Sequence, residues 1–336
     1  ALPAQRARAM LRLADLIDAN LDRLARAESR DNGKPLSLAR AMDIPRAASN
    51  FHFFGTAAGH FATEAHVQEG VALNYTVRHP VGVVGCISPW NLPLYLFTWK
   101  IAPALAVGCC VVAKPSEITP YTAFLLSELC IEAGLPPGVF NVVPGLGAEA
   151  GEALALHMDV DCIAFTGSTR IGKQIHVMAG QSNLKRAWTE LGGKSPNIVF
   201  ADCPDLDKAV EAAVGSIFFN QGESCNAPSR LFVEASIRDQ FLEKALALVP
   251  GYSPGNPLDQ ATVMGAIVDQ TQMASVLRYI ELGKQEGAAL LAGGKQALRD
   301  TGGCYVQPTI FAGVTGDMTI AREEIFGPVL SVLSFT

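Results

Sequence analysis

The stretch DCIAFTGSTRIGKQIHVMAG, residues 161–180, contains the pattern on which most of this chain is built. Its first seven residues form a short apolar run that predicts a buried strand, and residues 168–180 predict a helix. A Gly-Ser turn separates the two. A strand followed directly by a helix is the repeating unit of parallel sheets that carry helices on both faces. The stretch therefore predicts an α/β fold.

The same alternation continues on both sides of this stretch. The sequence predicts strands at 81–87, 110–114, 141–145, 197–200 and 231–234, and helices at 92–107, 119–134, 148–158, 206–219 and 236–248. Such a series predicts a doubly wound sheet, which binds ligands at the carboxyl ends of its strands. The glycines and proline of ELGGKSP interrupt the alternation, so we predict one domain over 1–190 and a second over 191–336.

The first eighty residues follow a different pattern. Apolar residues at helical spacing predict a helix over residues 4–30, which Asn32-Gly33 ends. A second helix is expected after Pro35. The alternation of apolar side chains over residues 73–77 predicts a strand with one exposed face.

Composition and charge exclude several classes of protein. The 336 residues are 49% apolar and 17% charged with a net charge of −6, which is typical of a compact globular chain. No cluster of Lys and Arg indicates a nucleic-acid partner. The longest apolar run, residues 101–113, is too short to cross a bilayer, so no membrane partner is expected. The N-terminus lacks the long apolar segment of a secretory signal.

The cysteines indicate the compartment. None of the eight forms a C-x-x-C pair, and no histidine stands at zinc-ligand spacing from them, so no metal site is expected. A large chain with many thiols fits a reducing compartment, in which most cysteines act as small core residues. We therefore predict a cytoplasmic protein.

The predicted strand ends carry polar residues that have a plain structural reading beside a functional one. In FTGSTRIG, residues 165–172, a phosphate would fit the first N–H groups of the helix, or Ser168 or Thr169 only caps it. Gly145-Leu-Gly147 lacks the spacing of the dinucleotide fingerprint. In AKPSE, residues 113–117, the lysine and glutamate suit a ribose or a phosphate, although a solvated turn is the more ordinary explanation.

Further loops carry candidate catalytic groups. Asn91 of PWNLP suits a rigidly held oxyanion donor or a turn residue. Glu190 of ELGGKSP suits a general base or is an ordinary strand-end residue. Cys225 of NQGESCNAPSR suits a nucleophile in a turn before a helix, whose N–H groups lower a thiol pKa, whereas a structural cysteine is the plainer reading. EEIFGP, residues 323–328, indicates only that a strand or loop begins there.

Taken in order, PWNLP, KPSE, FTGST, ELGGKSP, NQGESC and EEIFGP resemble the motifs of the aldehyde dehydrogenase superfamily. The resemblance covers essentially the whole chain. Residues 42–55 and 73–106 are most similar to hydroxymuconic and aminomuconic semialdehyde dehydrogenases, and the sequence from about residue 180 to γ-glutamylaminobutyraldehyde dehydrogenases. The resemblance implies a Rossmann-like NAD-binding domain and a second α/β catalytic domain.

The resemblance also implies roles for particular residues. Cys225 stands at the nucleophile, Glu190 at the general base, and Asn91 at the side chain that holds the oxyanion together with the Cys225 N–H. NAD is the implied cofactor, and Glu117 favours it because a 2′-phosphate would meet its negative charge. No metal is implied. The implied cofactor contacts are Trp90, Lys114, Ser116, Glu117, Gly147, Phe165, Gly167, Ser168, Gly172, Leu191, Glu324 and Phe326.

Members of the superfamily begin earlier than this chain and continue past EEIFGP, so we expect it to be incomplete at both ends, with the C-terminal part of the catalytic domain missing. The segment at about 71–80 resembles their oligomerisation strand, which implies a homodimer or homotetramer at full length. The implied substrate is a small aldehyde, either a semialdehyde or an amino-aldehyde. The family oxidises it to the carboxylic acid through a cysteine thiohemiacetal and thioester.

Three alternatives remain open at this point. A chain without the tail would bind NAD and be catalytically silent. A thiol hydrolase would need a histidine near Cys225, and the motif segments contain none. A coenzyme-A-acylating relative would have less use for a water-activating base, the role implied for Glu190.

Overall fold

The computed structural model describes residues 2–336, which form two compact units. The first unit contains the described residues up to Ala27 together with Arg40–Glu190. The second unit contains Glu28–Ala39 together with Leu191–Thr336. Among residues 2–336 no helix combines the length and apolar character needed to cross a membrane.

The first unit is built on a five-stranded sheet. Strands β5, β4, β3 and β6 pair in parallel in that order, and β7 lies beside β6. Up to residue 191 the helices and strands are α1 (Pro3–Ala19), α2 (Leu21–Asn32), α3 (Leu36–Leu38), α4 (Ile44–Ala57), β1 (Ala65–Gln68), β2 (Ala72–Tyr75), β3 (Val83–Ile87), α5 (Pro93–Ala106), β4 (Cys110–Lys114), α6 (Tyr121–Glu132), β5 (Phe140–Val142), α7 (Glu152–Leu156), β6 (Cys162–Gly167), α8 (Thr169–Gln181) and β7 (Arg186–Leu191). Two π-helical segments, Ala39–Asp43 and Gly147–Gly151, precede α4 and α7.

The order of these strands confirms the predicted doubly wound α/β sheet and defines where it can bind a ligand. β3 is the first strand of the sheet in the chain, and its neighbours β4 and β6 lie on opposite sides of it. The connections after β3 therefore build the sheet first in one direction and then in the other. The crevice outside the carboxyl ends of β3 and β6 is the place where such sheets bind ligands.

The N-terminal region differs from the sequence prediction in two respects. The helix expected over residues 4–30 is divided at Asn20, whose side-chain Nδ2 donates to the Leu16 carbonyl at 2.8 Å and so ends α1. The strand expected over 73–77 is β2, which pairs antiparallel with β1 alone. Both faces of β2 are exposed, rather than one, because this hairpin pairs with no other strand in the unit.

The second unit has its own five-stranded sheet in the order β10-β13-β14-β9-β8, in which only β10 runs antiparallel to its neighbour. A short antiparallel pair, β11-β12, lies outside that sheet. The elements after residue 191 are β8 (Pro196–Val199), α9 (Leu206–Phe218), β9 (Arg230–Glu234), α10 (Arg238–Leu248), α11 (Gln270–Gln285), β10 (Ala289–Ala292), β11 (Gln296–Ala297), β12 (Tyr305–Val306), β13 (Thr309–Ala312), α12 (Thr319–Arg322) and β14 (Val329–Phe335), with 3₁₀ turns at Phe219–Gly222, Val249–Tyr252 and Arg299–Thr301.

Apolar side chains cover the second sheet from two sides. Helices α9 and α10 contribute Val214, Phe218 and Phe241 to one buried cluster. Helices α11 and α12 contribute Val276 and Ile320 to another, together with residues of β13 and β14. A sheet covered on both faces needs continuous apolar strands, which explains why β13 and β14 read as apolar runs rather than alternating ones.

The segment Glu28–Ala39 belongs to the second unit, whereas the sequence assigned it to a first domain running from 1 to 190. Backbone hydrogen bonds hold it there: the Leu36 N–H donates to the Pro257 carbonyl at 2.8 Å, and the Ala266 N–H to the Gly33 carbonyl at 2.9 Å. Gly33 has a φ of +88°, a conformation that glycine adopts without strain. The units divide after Glu190, and the assignment of one domain to NAD binding and the other to catalysis stays a prediction.

Replacing Gly265 by alanine should destabilise the second unit, because the new Cβ would lie 2.1 Å from the Gly33 carbonyl oxygen. We expect Gly265→Ala to lower the free energy of unfolding by about 1–3 kcal/mol, the usual cost of overpacking. Gly251→Ala is the control, since a Cβ there meets nothing within 4 Å. Urea denaturation followed by circular dichroism measures both, and equal stabilities for the two variants would contradict this packing.

Candidate active site

In the first unit, candidate site residues meet at the carboxyl ends of β3 and β4. The Ser88 N–H donates to the Lys114 carbonyl at 3.1 Å, which joins the loop after β3 to the end of β4. Asn91 is buried in that loop, just before α5 begins at Pro93. Trp90 is half-buried beside it. The short connection after a buried strand thus holds Asn91 at the sheet edge where ligands bind.

Lys114 and Glu117 form an ion pair at the end of β4. The Lys114 ammonium is buried and donates to a Glu117 carboxylate oxygen and to the Pro115 carbonyl, each at 3.0 Å. Burial opposes ionisation of Glu117, but hydrogen bonds from its own N–H, from Lys114 and from the Gly147 N–H together lower its pKa. Glu117 and Gly147, both predicted cofactor contacts, are therefore neighbours. The Ser116 hydroxyl accepts a hydrogen bond from the Ile118 N–H at 3.3 Å.

The end of β6 leads directly into α8. Ser168 caps this helix, since its hydroxyl oxygen accepts a hydrogen bond from the Ile171 N–H at 3.3 Å. Gly167 allows a tight turn, because a Cβ there would lie 2.6 Å from the Phe165 ring. Gly172 is buried in the first turn of α8. The plain reading of Ser168 as a helix cap is therefore correct, and the remaining first-turn N–H groups suit an anion.

In the second unit, Cys225 lies in a turn between the 3₁₀ turn Phe219–Gly222 and β9. The expected helix after this cysteine is absent, because residues 226–229 lead directly into β9. The preceding residues Asn220, Gln221 and Gly222 have φ angles of 48°, 58° and 74°. Three successive left-handed residues bend the chain sharply, and the thiol of Cys225 is half-buried just after the bend.

The glycine pair of ELGGKSP lies between Cys225 and Glu324. The Gly193 N–H donates to a Glu324 carboxylate oxygen at 3.2 Å, and a Cβ on Gly193 would lie 3.4 Å from the Cys225 carbonyl oxygen. A Cβ on Gly192 would lie only 2.0 Å from the other Glu324 oxygen. Burial raises the pKa of Glu324, although the Gly193 N–H and Lys194 oppose this. The second unit thus brings two predicted site residues to one glycine turn.

Helix α11 holds the EEIFGP segment through hydrogen bonds from one side chain. The Gln272 amide donates to the Phe326 carbonyl at 2.8 Å and to the Ile325 carbonyl at 3.3 Å. Phe326 has a φ of 57°, unusual for a bulky residue, and its ring is half-buried. A Cβ on Gly222 would lie 2.1 Å from the Gly327 carbonyl oxygen, so the Cys225 loop and EEIFGP are in direct backbone contact.

Glu190 is the last residue of the first unit and lies near the end of β7, three positions before Gly193. Its side chain is exposed, and β7 alternates exposed and half-buried residues. Leu191, the next residue, is half-buried and begins the second unit. The two units therefore divide the predicted catalytic residues, with Asn91 and Glu190 in the first and Cys225 in the second.

Sequence reasoning missed Lys194, which belongs to the quoted ELGGKSP motif. Its ammonium nitrogen is buried and has no hydrogen-bond partner among residues 2–336. Arg230 lies beside it and donates through Nη2 to the Lys194 carbonyl at 2.5 Å. Burial and the Arg230 charge lower the pKa of Lys194 to about 8, against the attraction of Glu324. In the sequence, only the position of Lys194 between two glycines and a proline could have indicated that its ammonium group is buried.

Burial makes four of the eight cysteines poor nucleophiles. All eight are free thiols. Burial raises the pKa of Cys86 and of Cys130 to about 12, and burial also raises the pKa of Cys162 and Cys304. Such thiols stay protonated and unreactive at neutral pH. Within residues 2–336 no group of three or more His, Cys, Asp or Glu side chains could hold a metal ion.

Comparison with known proteins decides the family. The model of the aldehyde dehydrogenase family matches residues 1–336. This chain belongs to the aldehyde dehydrogenase family. The curated mitochondrial aldehyde dehydrogenase of Homo sapiens is 48% identical over 332 residues, which are 99% of this chain and 64% of the human protein. The chain thus spans less than two thirds of the length of that aldehyde dehydrogenase.

Two solved aldehyde dehydrogenases have the same fold along the whole chain. The indole-3-acetaldehyde dehydrogenase of P. syringae, solved with NAD+ and IAA, is 53% identical with a TM-score of 0.98. The γ-glutamyl-γ-aminobutyraldehyde dehydrogenase of Burkholderia cenocepacia is 52% identical with a TM-score of 0.97. This chain is covered completely in both comparisons and covers 68% and 67% of the two structures.

The low pKa of Lys194 predicts a rise in stability with pH. An unfolded lysine keeps its proton up to about 10.5, whereas folded Lys194 releases it near 8. Between these values the unfolded state binds more protons, so the free energy of unfolding increases with pH, by up to about 3 kcal/mol. Lys194→Met should lose this increase and be more stable than the parent below pH 8.

Urea denaturation across that pH range measures the free energy of unfolding of the parent and of Lys194→Met. The difference between the two is compared, because the contributions of the other lysines and of the tyrosines cancel in it. Lys295→Met is the control, since Lys295 is an exposed lysine of the same unit. Parallel pH profiles for the parent and Lys194→Met would show that Lys194 is not buried as described.

Proposed function

We propose that this chain carries the catalytic machinery for NAD-dependent oxidation of an aldehyde to a carboxylic acid, with Cys225 as nucleophile. The observation that carries this proposal is the position of Cys225 in a sharply bent, half-buried turn against Gly193, which also binds Glu324. A cysteine with only a packing role would not require a carboxylate and a glycine pair beside it. Membership of the aldehyde dehydrogenase family gives this arrangement its chemical meaning.

The first unit fits a dinucleotide. The crevice at β3 and β6, the first-turn N–H groups of α8 and the Lys114–Glu117 pair at the end of β4 supply the contacts that a pyrophosphate and a ribose need. We propose that Lys114 and Glu117 hold the adenosine ribose, with Ser116, Gly147, Phe165 and Trp90 around the cofactor. Gly167, Ser168 and Gly172 would line the pyrophosphate. NAD, when bound, accepts the hydride that leaves the substrate.

The residues of this chain perform the remaining steps. The Cys225 thiolate attacks the aldehyde carbon and forms a thiohemiacetal, and the Asn91 amide and the Cys225 N–H stabilise its oxyanion. Loss of hydride from that carbon leaves a thioester on Cys225. Glu190 takes a proton from water, which attacks the thioester, releases the acid and returns the thiolate. Leu191, Glu324 and Phe326 would orient the nicotinamide end.

The substrate class rests on the relatives. The relative from Burkholderia cenocepacia is named for an amino-aldehyde and the one from P. syringae for an aromatic acetaldehyde. We propose a small amino-aldehyde or semialdehyde as the substrate. A cytoplasmic location and a homodimer or homotetramer remain predictions, and the human relative is a mitochondrial protein.

Cys225→Ala should abolish NADH formation from NAD and an aldehyde panel, with kcat at least about a thousandfold lower. Glu190→Gln should lower kcat by about 10²–10⁴-fold, because the thioester would wait for water without a base. Cys110→Ala is the control, since Cys110 is an exposed thiol at the start of β4 and should leave the rate unchanged.

NADH absorbance measures these rates, and NAD binding by calorimetry separates the two candidate functions. A parent chain that binds NAD without any turnover would support the catalytically silent alternative. A Cys225→Ala protein as active as the parent would refute the proposed nucleophile.

Glu117 should set the preference for NAD over NADP. Glu117→Gln removes the negative charge that a 2′-phosphate would meet, so we expect NADP affinity to rise about tenfold, or about 1.4 kcal/mol. Glu132→Gln makes the same charge change at the exposed end of α6 and should alter neither affinity. Titration of each variant with NAD and NADP measures the ratio, which would stay constant if Glu117 does not face the ribose.

A further inference from the structure

A cluster of buried ionisable side chains includes one residue of the loop that carries Cys225. Lys34, Glu28 and Glu223 have no exposed surface. The Lys34 ammonium lies 3.8 Å from a Glu28 carboxylate oxygen. The Lys34 charge also acts on Glu223, which stands two positions before Cys225. The proposed reaction gives none of these three residues a role, and fully buried charges need an explanation because their desolvation is costly.

Glu223 ties the Cys225 loop to the rest of the second unit. The Val268 N–H donates to a Glu223 carboxylate oxygen at 3.1 Å, just before α11 begins. The loop is also closed on itself, since the Glu223 N–H donates to the Asn220 carbonyl at 2.9 Å and the Asn220 amide to the Glu223 carbonyl at 3.0 Å. One residue therefore joins the strained bend to a helix start that lies forty-five positions further along the chain.

The neighbouring Gln221 makes a second connection of the same kind. Its amide oxygen accepts a hydrogen bond from the Gly265 N–H at 3.2 Å. Residues 265–268 in turn bind the segment Glu28–Ala39 through the Ala266 N–H and the Gly33 carbonyl. Left-handed conformations at Asn220 and Gln221 cost about 1–3 kcal/mol each and persist only where surrounding contacts hold them. These contacts supply that restraint.

We propose that Glu223, supported by the buried pair of Lys34 and Glu28, is a positioning residue that fixes the turn presenting Cys225. It connects this turn to the start of α11 and, through the charge of Lys34, to the segment Glu28–Ala39. The inference deepens the proposed function, on which its catalytic meaning depends. The geometric claim about the loop can be tested without any turnover.

The chemistry of the cluster predicts which substitutions it tolerates. Burial raises the pKa of Glu223 well above its usual range, against the Val268 N–H and Lys34, and Asp269 raises it further. Glu223→Gln has the same shape and keeps an oxygen for the Val268 N–H. Glu223→Ala removes that oxygen, and Glu223→Asp shortens its reach.

Amide hydrogen exchange, read by mass spectrometry on peptides within residues 217–228, tests the proposal on the 336-residue chain. We expect Glu223→Ala to speed exchange in these peptides at least tenfold while β3 to β6 stay as protected as in the parent, because only the local restraint is lost. Glu223→Gln should restore parental exchange. If Glu223→Ala does not fold, Glu223→Asp replaces it, with a smaller increase in the same peptides.

Glu234→Ala is the matched control. Its carboxylate also accepts a backbone hydrogen bond in the second unit, from the Ala201 N–H at 2.8 Å, but lies at the end of β9. It should leave residues 217–228 unchanged. Unchanged exchange in Glu223→Ala, or an equal increase throughout the unit, would overturn the proposal.

Kinetics supply a separate readout where the parent turns over NAD. Glu223→Ala should lower kcat and leave KM for NAD unchanged, and Glu223→Gln should recover kcat, because a misplaced thiol slows chemistry without affecting the first unit. An inactive parent would count against the proposed function, whereas the exchange result would still decide the positioning role of Glu223.

Discussion

The second unit depends on the close approach of polypeptide backbones at glycine. Gly192 leaves room for a Glu324 carboxylate oxygen, and Gly222 lies against the Gly327 carbonyl, at distances where a side chain would collide. Three segments that are distant in sequence, around residues 192, 222 and 327, meet through these contacts. Cys225 and Glu324 can lie near the same turn only because no Cβ stands between the segments. The glycines of the motifs therefore have a steric role before they have a chemical one.

Buried charge is the second constraint, and it cannot be explained by stability alone. Replacing a buried ion pair with apolar residues is often neutral or stabilising, so Lys34, Glu28 and Glu223 are poor contributors to folding energy in themselves. Lys194, buried beside Arg230, is unfavourable in its charged form. These groups are concentrated around the loops that hold Cys225 and Glu324 rather than in the apolar clusters under the sheet. This distribution fits groups kept for the placement of the thiol loop.

The sequence predicted the fold well where short apolar strands alternate with helices. Strands β3, β4, β6, β8 and β9 fall within a few residues of their predicted positions, because a strand covered on both faces leaves an apolar run that is easy to detect. Strands β10 to β13 have two to four residues each and pair across long loops, which leaves no periodic signal. The position of Glu28–Ala39 depends on hydrogen bonds to residues more than 200 positions away, which no local pattern records.

Among the candidate site residues, the sequence supplied the identities and the structure supplied the neighbours. Each motif alone left a plain reading open, and for Ser168 the plain reading of a helix cap is correct. For Cys225 the local sequence suggested N–H groups of a following helix, but a 3₁₀ turn and a left-handed bend precede the thiol instead. The bend is held by Glu223 and Gln221 through partners near residue 265, beyond the reach of any local motif.

The contrast among the cysteines shows why tertiary structure has to decide reactivity. Cys86 sits in a buried strand whose apolar surroundings keep its thiol protonated, with a pKa of about 12. Cys110, at the start of β4, is exposed, and its N–H donates to the Gly82 carbonyl at 3.0 Å in the regular pattern of the sheet edge. Cys225 combines partial exposure with a rigid backbone on both sides. The nucleophilic role proposed for Cys225 needs this combination, because exposure would admit a substrate and a fixed backbone would keep the sulfur in one position.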